Sequence, residues 1–281
     1  MSIRLSKSLQ AVVQFDFAEV MRSRWLIFSS SLYALLAALF VLVGLRQSTV
    51  LGFTGMGRVL LSLCHVLLLL LPLVALAACG QVINRARDDG TFEFLFSQPI
   101  TRGDYFLAVS LVRYAVLVLP LVALFALLAF LGWTIFGQEI PWVFLGRSVV
   151  ICASLLWAFV GFGLAISVSV RNQAKAIMYL LVIWVTGVAL LDFALIGLML
   201  VWRLNPQTIF ILASLNPVEA ARMALLSSAD PTLAALGPVG FYLVNRLGTG
   251  VLFALGATWP AAAGSIAWIW GRRQFIQNDL V

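Results

Sequence analysis

VLLSLCHVLLLLLPLVALAACGQVI, residues Val59–Ile83, runs for 25 residues without one Asp, Glu, Lys or Arg. A helix rises about 1.5 Å per residue and the hydrocarbon core of a bilayer is about 30 Å thick, so about 20 mostly apolar residues cross it. Working outward, comparable runs recur at Trp25–Leu45, Tyr105–Trp133, Ser148–Val170, Ala176–Trp202 and Leu247–Gly271. None alternates with the period of two that a membrane barrel strand requires, so the spans are predicted to be helices. The whole composition agrees. Of the 281 residues, 63% are hydrophobic and 10% charged, against about 45–50% and about 25% in soluble domains. A soluble globule of this size could not hide that much apolar surface. The expected fold is an all-α polytopic membrane protein with six transmembrane helices forming one domain over residues 25–271.

Orientation follows from the bases, which concentrate in cytoplasmic loops. The side shared with the N-terminus carries Arg4, Lys7, Arg22, Arg24, Arg85, Arg87, Arg102, Arg171, Lys175, Arg272 and Arg273. The opposite side carries Arg46, Arg58, Arg147, Arg203, Arg222 and Arg246, while Arg113 lies just inside the third span. Both termini are therefore expected in the cytoplasm. This placement also accounts for the net charge of +7 without a nucleic-acid partner.

Residues 1–24 lack the continuous apolar core of a signal peptide. Leu5, Leu9, Val12, Val13, Phe17 and Val20 recur at helical spacing. That pattern predicts an amphipathic elbow helix lying in the headgroup region. At the other end, residues 272–281 form a short cytoplasmic tail.

Two connections are longer than packing needs. The link 84–104, NRARDDGTFEFLFSQPITRGD, sets Phe92, Phe94, Leu95 and Phe96 among Asp88, Asp89, Glu93 and Arg102. Apolar groups rimmed by charge mark a contact surface, and a short helix fits between the turn at Gly90 and the stop at Pro99. The external segment 203–246 contains Asn216-Pro217 ahead of Val218–Leu226, a helix start with Asn216 as N-cap and Pro217 in its first position. It is read as a structured external cap that docks another protein or covers the spans.

The stretch RARDDGTFEFLFSQPITRGDYFLAVSL, Arg85–Leu111, resembles the membrane subunits of ABC-2 type ATP-binding-cassette transporters. In those an acidic residue, Gly-Thr, an apolar stretch and Ser/Gln-Pro-Ile/Val-x-Arg occupy the link between spans two and three. Within the family, SLNPVEAARM (Ser214–Met223), the link and the terminal GRRQFIQNDLV are similar to the permease subunits of nitrous oxide reductase maturation transporters, which serve copper-site assembly in denitrification. The resemblance implies a homodimer of this chain working with two cytoplasmic ATPase subunits and a periplasmic copper-related β-helix protein. It places a coupling helix in the link, with Asp88, Asp89, Gly90, Thr91, Phe92, Glu93, Phe94, Phe96, Gln98, Pro99 and Arg102 at the ATPase contact. Arg171, Asn172, Gln173 and Lys175 would form a secondary cytoplasmic contact, and Asn216, Pro217, Glu219 and Arg222 a periplasmic one.

The residues bear on one part of this independently. A phosphate-binding P-loop needs Gly-x-x-x-x-Gly-Lys-Ser/Thr, and the only lysines, Lys7 and Lys175, follow Ser6 and Ala174. ATP and Mg are expected on a partner, with no catalytic residue, cofactor or metal in this chain.

Inside the membrane, His65 adjoins Cys64, but neighbouring helix residues diverge by about 100° and two ligands are too few for copper. Cys79 lies roughly 22 Å along the helix from Cys64, and Cys152 on another span could approach it. These are read as packing residues. Asp192, the one acid well inside a span, is a conduit candidate by default. It could pair with Arg113, line a path or be protonated, or sit in a wetter place than the pattern suggests. Pro72, Pro120 and Pro260 should kink their spans, and Gly161, Gly163, Gly256 and Gly264 permit close helix approach. The leading function is thus the permease of an ATP-driven transporter. It either passes a small sulfur- or copper-related species or does conformational work on an external partner. Export of another substrate and an ATP-independent secondary carrier are the alternatives. An intramembrane hydrolase lacks the needed nucleophile setting.

Overall fold

The computed structural model describes residues 7–22, 28–36, 38–39, 56–134, 137, 139–191, 193–194, 197, 205–229, 240 and 246–277. Every regular element among the described residues is helical. In chain order these are α1 (Lys7–Arg22), α2 (Met56–Cys79), α3 (Val82–Asp88), α4 (Thr91–Phe96), α5 (Arg102–Thr134), α6 (Trp142–Ser169), α7 (Gln173–Val185), α8 (Pro206–Leu215), α9 (Pro217–Ala229) and α10 (Gly248–Gln277). A π-helical turn, Thr186–Leu190, extends α7. Among the described residues, five helical stretches are long and apolar enough to cross a bilayer, or six if α8 and α9 are one broken span. The five match the second to sixth apolar runs. The first run lies mostly outside the described residues, although 28–36 within it are helical, with Tyr33 and Leu36 buried.

At the centre stands α6, which packs against α10, α2, α5 and α9. Small residues make its crossing with α10 possible. A Cβ on Gly264 would come within 2.5 Å of the Ala158 Cα, and one on Gly271 within 3.0 Å of the Ala165 Cα. A Cβ on Gly161 would collide with the Gly264 carbonyl. Lipid tails are as apolar as Leu, so helices in a membrane gain little by hiding hydrophobic surface and associate through such backbone-close packing. Polar side chains add bonds across helices. Trp157 Nε1 donates to Ser265 Oγ at 3.0 Å and Trp268 Nε1 to Ser110 Oγ at 2.7 Å. Pro72, Pro120 and Pro260 all sit inside unbroken helices.

The external segment departs from its reading as a cap. Helices α8 and α9 meet at 118°, and α9 packs against α10, α6 and α2. Val218, Ala220, Ala221 and Ala224 are fully buried. The Gly256 position, where a side chain would collide with Ala224 and the Ala220 carbonyl, is about 12 Å along α10 from its start at Gly248. Much of α9 thus belongs to the core. Alanines pack where no bulkier chain would fit against the Gly256 backbone, a property invisible in hydropathy alone.

Helix α1 also differs from its amphipathic reading in detail. Its inner stripe is Val12, Asp16 and Val20, spaced four apart and all buried, whereas Phe17 is exposed. Val20 packs on Val112 and Val116 of α5.

Candidate partner-docking surface

At one end of the bundle α2 turns at Gly80–Gln81 into α3, which is pinned by the Ile83 amide donating to Ser167 Oγ of α6 at 3.0 Å. Gly90, at φ 68°, then reverses the chain in a left-handed conformation that favours glycine and caps α4. Pro99 follows α4, and the Thr101 hydroxyl accepts the Asp104 amide at 3.1 Å, starting α5.

One turn and a half of TFEFLF splits its rings between two environments. Phe92 is buried, stacked on Phe96 at 5.6 Å and edge-on to Tyr105 at 5.5 Å and to Phe275 at 5.7 Å. Tyr105 and Phe275 stack at 6.0 Å, joining the start of α5 and the end of α10 to α4. Phe94, 63% exposed, points outward with Glu93. Of the three phenylalanines that the resemblance places at the ATPase contact, Phe94 is exposed, Phe96 half-buried and Phe92 buried. A helix this short can bury only one side, and residues 92, 95 and 96 lie on it. Arg102 donates from Nη1 to the Ile276 carbonyl at 3.3 Å, with its guanidinium 6.0 Å from the Phe96 ring centre. Gln98, Pro99 and Asp89 are exposed, and Thr91 half-buried.

The second connection meets the first. Gln173 Nε2 donates to Asp88 Oδ2 at 2.7 Å, while Asn172 caps α7 through its side-chain oxygen and the Lys175 amide at 3.1 Å. Arg171 and Lys175 are exposed. The link 84–104 and residues 171–175 therefore form one continuous surface. Tyr105, Phe275 and Ile276 are the participants that sequence reasoning missed. The available signal was Phe275 four residues after Gly271, on the same face of α10.

The opposite end does not bring its predicted contact residues to the surface as a patch. Asn216 is buried. Its Nδ2 donates to the Gly187 carbonyl in the π turn at 2.7 Å, and its Oδ1 accepts the Val218 amide at 3.0 Å. That makes it a pin between α9 and the end of α7, correcting its assignment as an external contact. Pro217 is half-buried beside it, and Glu219 pairs with Arg222 at 2.6 Å along the same helix. Asp192 lies outside the described residues. His65 bonds through Nδ1 to the Leu61 carbonyl at 2.8 Å, facing away from the buried Cys64, which meets Cys152 across α2 and α6. Among the described residues no three His, Cys, Asp or Glu side chains converge on a metal-sized site.

Helix α4 is thus held by an aromatic anchor and offers one exposed ring beside charged loops at the end of a polytopic bundle. Sequence comparison gives the chain a family. The profile described as ABC-2 family transporter protein matches residues 10–270.

The chain belongs to the ABC-2 transporter family. Two curated relatives are each called "Probable ABC transporter permease protein NosY". The Stutzerimonas stutzeri protein is 27% identical over 231 residues, covering 80% of this chain and 84% of the relative. The Pseudomonas aeruginosa protein is 28% identical over 261 residues, covering 91% and 94%. This ABC-2 permease is an inner-membrane protein, and the match spans both the α4 surface and the α8–α9 pair.

Proposed function

We propose that this chain is the membrane-spanning subunit that couples ATP hydrolysis on a separate cytoplasmic ATPase to movement of its own helices. The observation that carries the reading is the division of labour in α4. Phe92 locks the helix to Tyr105 and Phe275, while Phe94 stands exposed for a partner. A push on Phe94 then reaches α5 and α10 through rigid rings instead of dissipating in a loop. Asp88 and Gln173 extend that push to α6 and α7. ATP and Mg belong to the ATPase, since neither lysine sits in a P-loop, and this chain contributes no catalytic group. Two copies of it with two ATPases form the working unit.

The likeness to NosY permeases over most of the chain supports a role in copper-site maturation of nitrous oxide reductase, with a copper-related β-helix protein on the periplasmic side. Both termini and the α4 surface face the cytoplasm, following the bias of the bases. Co-expression with a candidate partner ATPase tests the core of this. The ATPase should co-purify with the wild type and be lost from Phe94→Asp. A fully active permease purified without any ATPase would refute the reading.

A further inference from the structure

Between α8 and α10 lies a cleft of about 500 Å³. Ile211, Ser214 and Leu215 line it from α8, and Leu255, Trp259 and Ala262 from α10. The polar groups at its walls are already engaged. Ser214 Oγ donates to the Phe210 carbonyl at 2.6 Å, Thr258 Oγ1 to the Ala254 carbonyl at 2.8 Å, and Trp259 Nε1 to the Leu215 carbonyl at 3.1 Å. Water here would lack the two to four polar partners it needs, and an empty cleft forfeits the dispersion contacts of its walls. The fitting occupant is hydrocarbon.

Depth says where that hydrocarbon comes from. Arg272 and Arg273, near the end of α10, belong at the headgroup level. About 30 Å back along the helix, at about 1.5 Å per residue, lies Leu252. Leu255–Ala262 is therefore inside the hydrocarbon, in the leaflet away from the arginines. The 118° bend between α8 and α9 sits at the same depth, since Leu215 meets Trp259 and Ala220 and Ala224 lie against Gly256. Nearer the end of the bundle, Phe210 and Ala213 close on Met223 and Leu252. Exposed Ile211, Leu215 and Ile266 continue the apolar wall to the surface. The cleft thus opens sideways, onto lipid tails.

We propose that this cleft is a lipid site, in which one acyl chain of a phospholipid inserts between α8 and α10 and supports the bent helix pair. Over the roughly 10 Å of α10 from Leu255 to Ala262, the volume is too narrow for a neighbouring helix about 10–12 Å across but admits a single acyl chain. The bend is thereby packed partly by the bilayer, and a chain entering or leaving changes how firmly α8 is held against α10.

The test counts phospholipid retained by the full-length protein in mild detergent, by native mass spectrometry, after reconstitution with phosphatidylcholine. The wild type should keep one tightly held phospholipid per chain. Ala262→Trp and Ser214→Phe, which fill the cleft from either helix, should each lose it while remaining monodisperse. Ala126→Trp, at an exposed position of α5, should retain it. Added phosphatidylcholine should raise the thermal transition of the wild type and of Ala126→Trp, because a ligand that binds the folded state stabilises it, and leave the two filled variants unmoved. A wild type that retains no phospholipid overturns the proposal, whatever the variants do. So does retention unchanged in both filled variants, or lost equally from Ala126→Trp. If filling the cleft instead halves the mass of the protein in solution, its occupant is a second copy of the chain and the lipid site is refuted.

Discussion

Arg113 donates from Nη2 to Asp16 Oδ1 at 3.3 Å, with side-chain exposures of 10% and 5%. The bond fastens α1 to α5 about 16 Å along α5 from its start at Arg102. Arg113 thus finds a carboxylate on α1, where the sequence had offered Asp192 as a candidate partner. Two buried charges are tolerated because each desolvated group meets its opposite, and the flanking Val20, Val112 and Val116 exclude water. The amphipathic helix is thereby keyed to one register on the bundle.

Breaking that pair from one side should be severe. Asp16→Ala leaves a buried guanidinium uncompensated and is expected to cost about 3–5 kcal/mol, read as a lowered thermal transition in detergent. Asp16→Leu combined with Arg113→Met should recover much of the loss, because both charges leave together. An additive double mutant would show that the two do not act as a pair.

Phe92 and Phe94 should separate stability from partner binding. Phe92→Ala removes the ring between Tyr105 and Phe275 and is expected to cost about 3–5 kcal/mol. Phe94→Ala, at an exposed position, should change stability by no more than about 0.5 kcal/mol while weakening ATPase association. Equal heat-stability losses in the two variants would contradict the division of roles.

The α6–α10 crossing predicts a sharp size limit. Gly264→Val places branched carbons where even a Cβ would lie 2.5 Å from the Ala158 Cα, and the backbone must separate. The expected outcome is loss of a monodisperse peak in size-exclusion chromatography. Gly146→Ala, where a Cβ meets nothing within 4 Å, serves as the control and should elute as the wild type.

Asn216 separates capping from cross-helix pinning. Asn216→Ala loses the α9 cap and the donor to Gly187, an expected cost of about 1–3 kcal/mol. Asn216→Asp keeps the acceptor for the Val218 amide but has no Nδ2 to donate. It should preserve α9 while raising hydrogen exchange in the Thr186–Leu190 turn, measured by mass spectrometry. Unchanged exchange there would mean the Gly187 bond contributes nothing.

Much of the scaffold was legible because a membrane imposes a simple rule. The run Val59–Ile83 contains most of α2 and the start of α3. Tyr105–Trp133 lies inside α5, and Leu247–Gly271 falls on α10. The link 84–104 announced a contact through its mixture of rings and charge. Composition could not say which ring faced in. Phe92 and Phe94 are two residues apart, and their fates depend on Tyr105 and Phe275, the latter arriving from the far end of the chain. The same blindness affected α9. Its alanines look unremarkable in sequence, and only the absence of a side chain at Gly256 makes them core.

Length and apolarity determined that the chain is a bundle of membrane helices, because backbone groups in hydrocarbon must be bonded within their own segment. The scarcity and placement of charge determined where contact surfaces could lie. Tertiary structure alone decided that Asp16 belongs to Arg113, that Asn216 reaches Gly187, and that Gln173 reaches Asp88. Each is a relation between residues 29 to 97 positions apart. Local periodicity does not encode such distances, which follow from how the small-residue crossings of α6, α9 and α10 set the helices against one another.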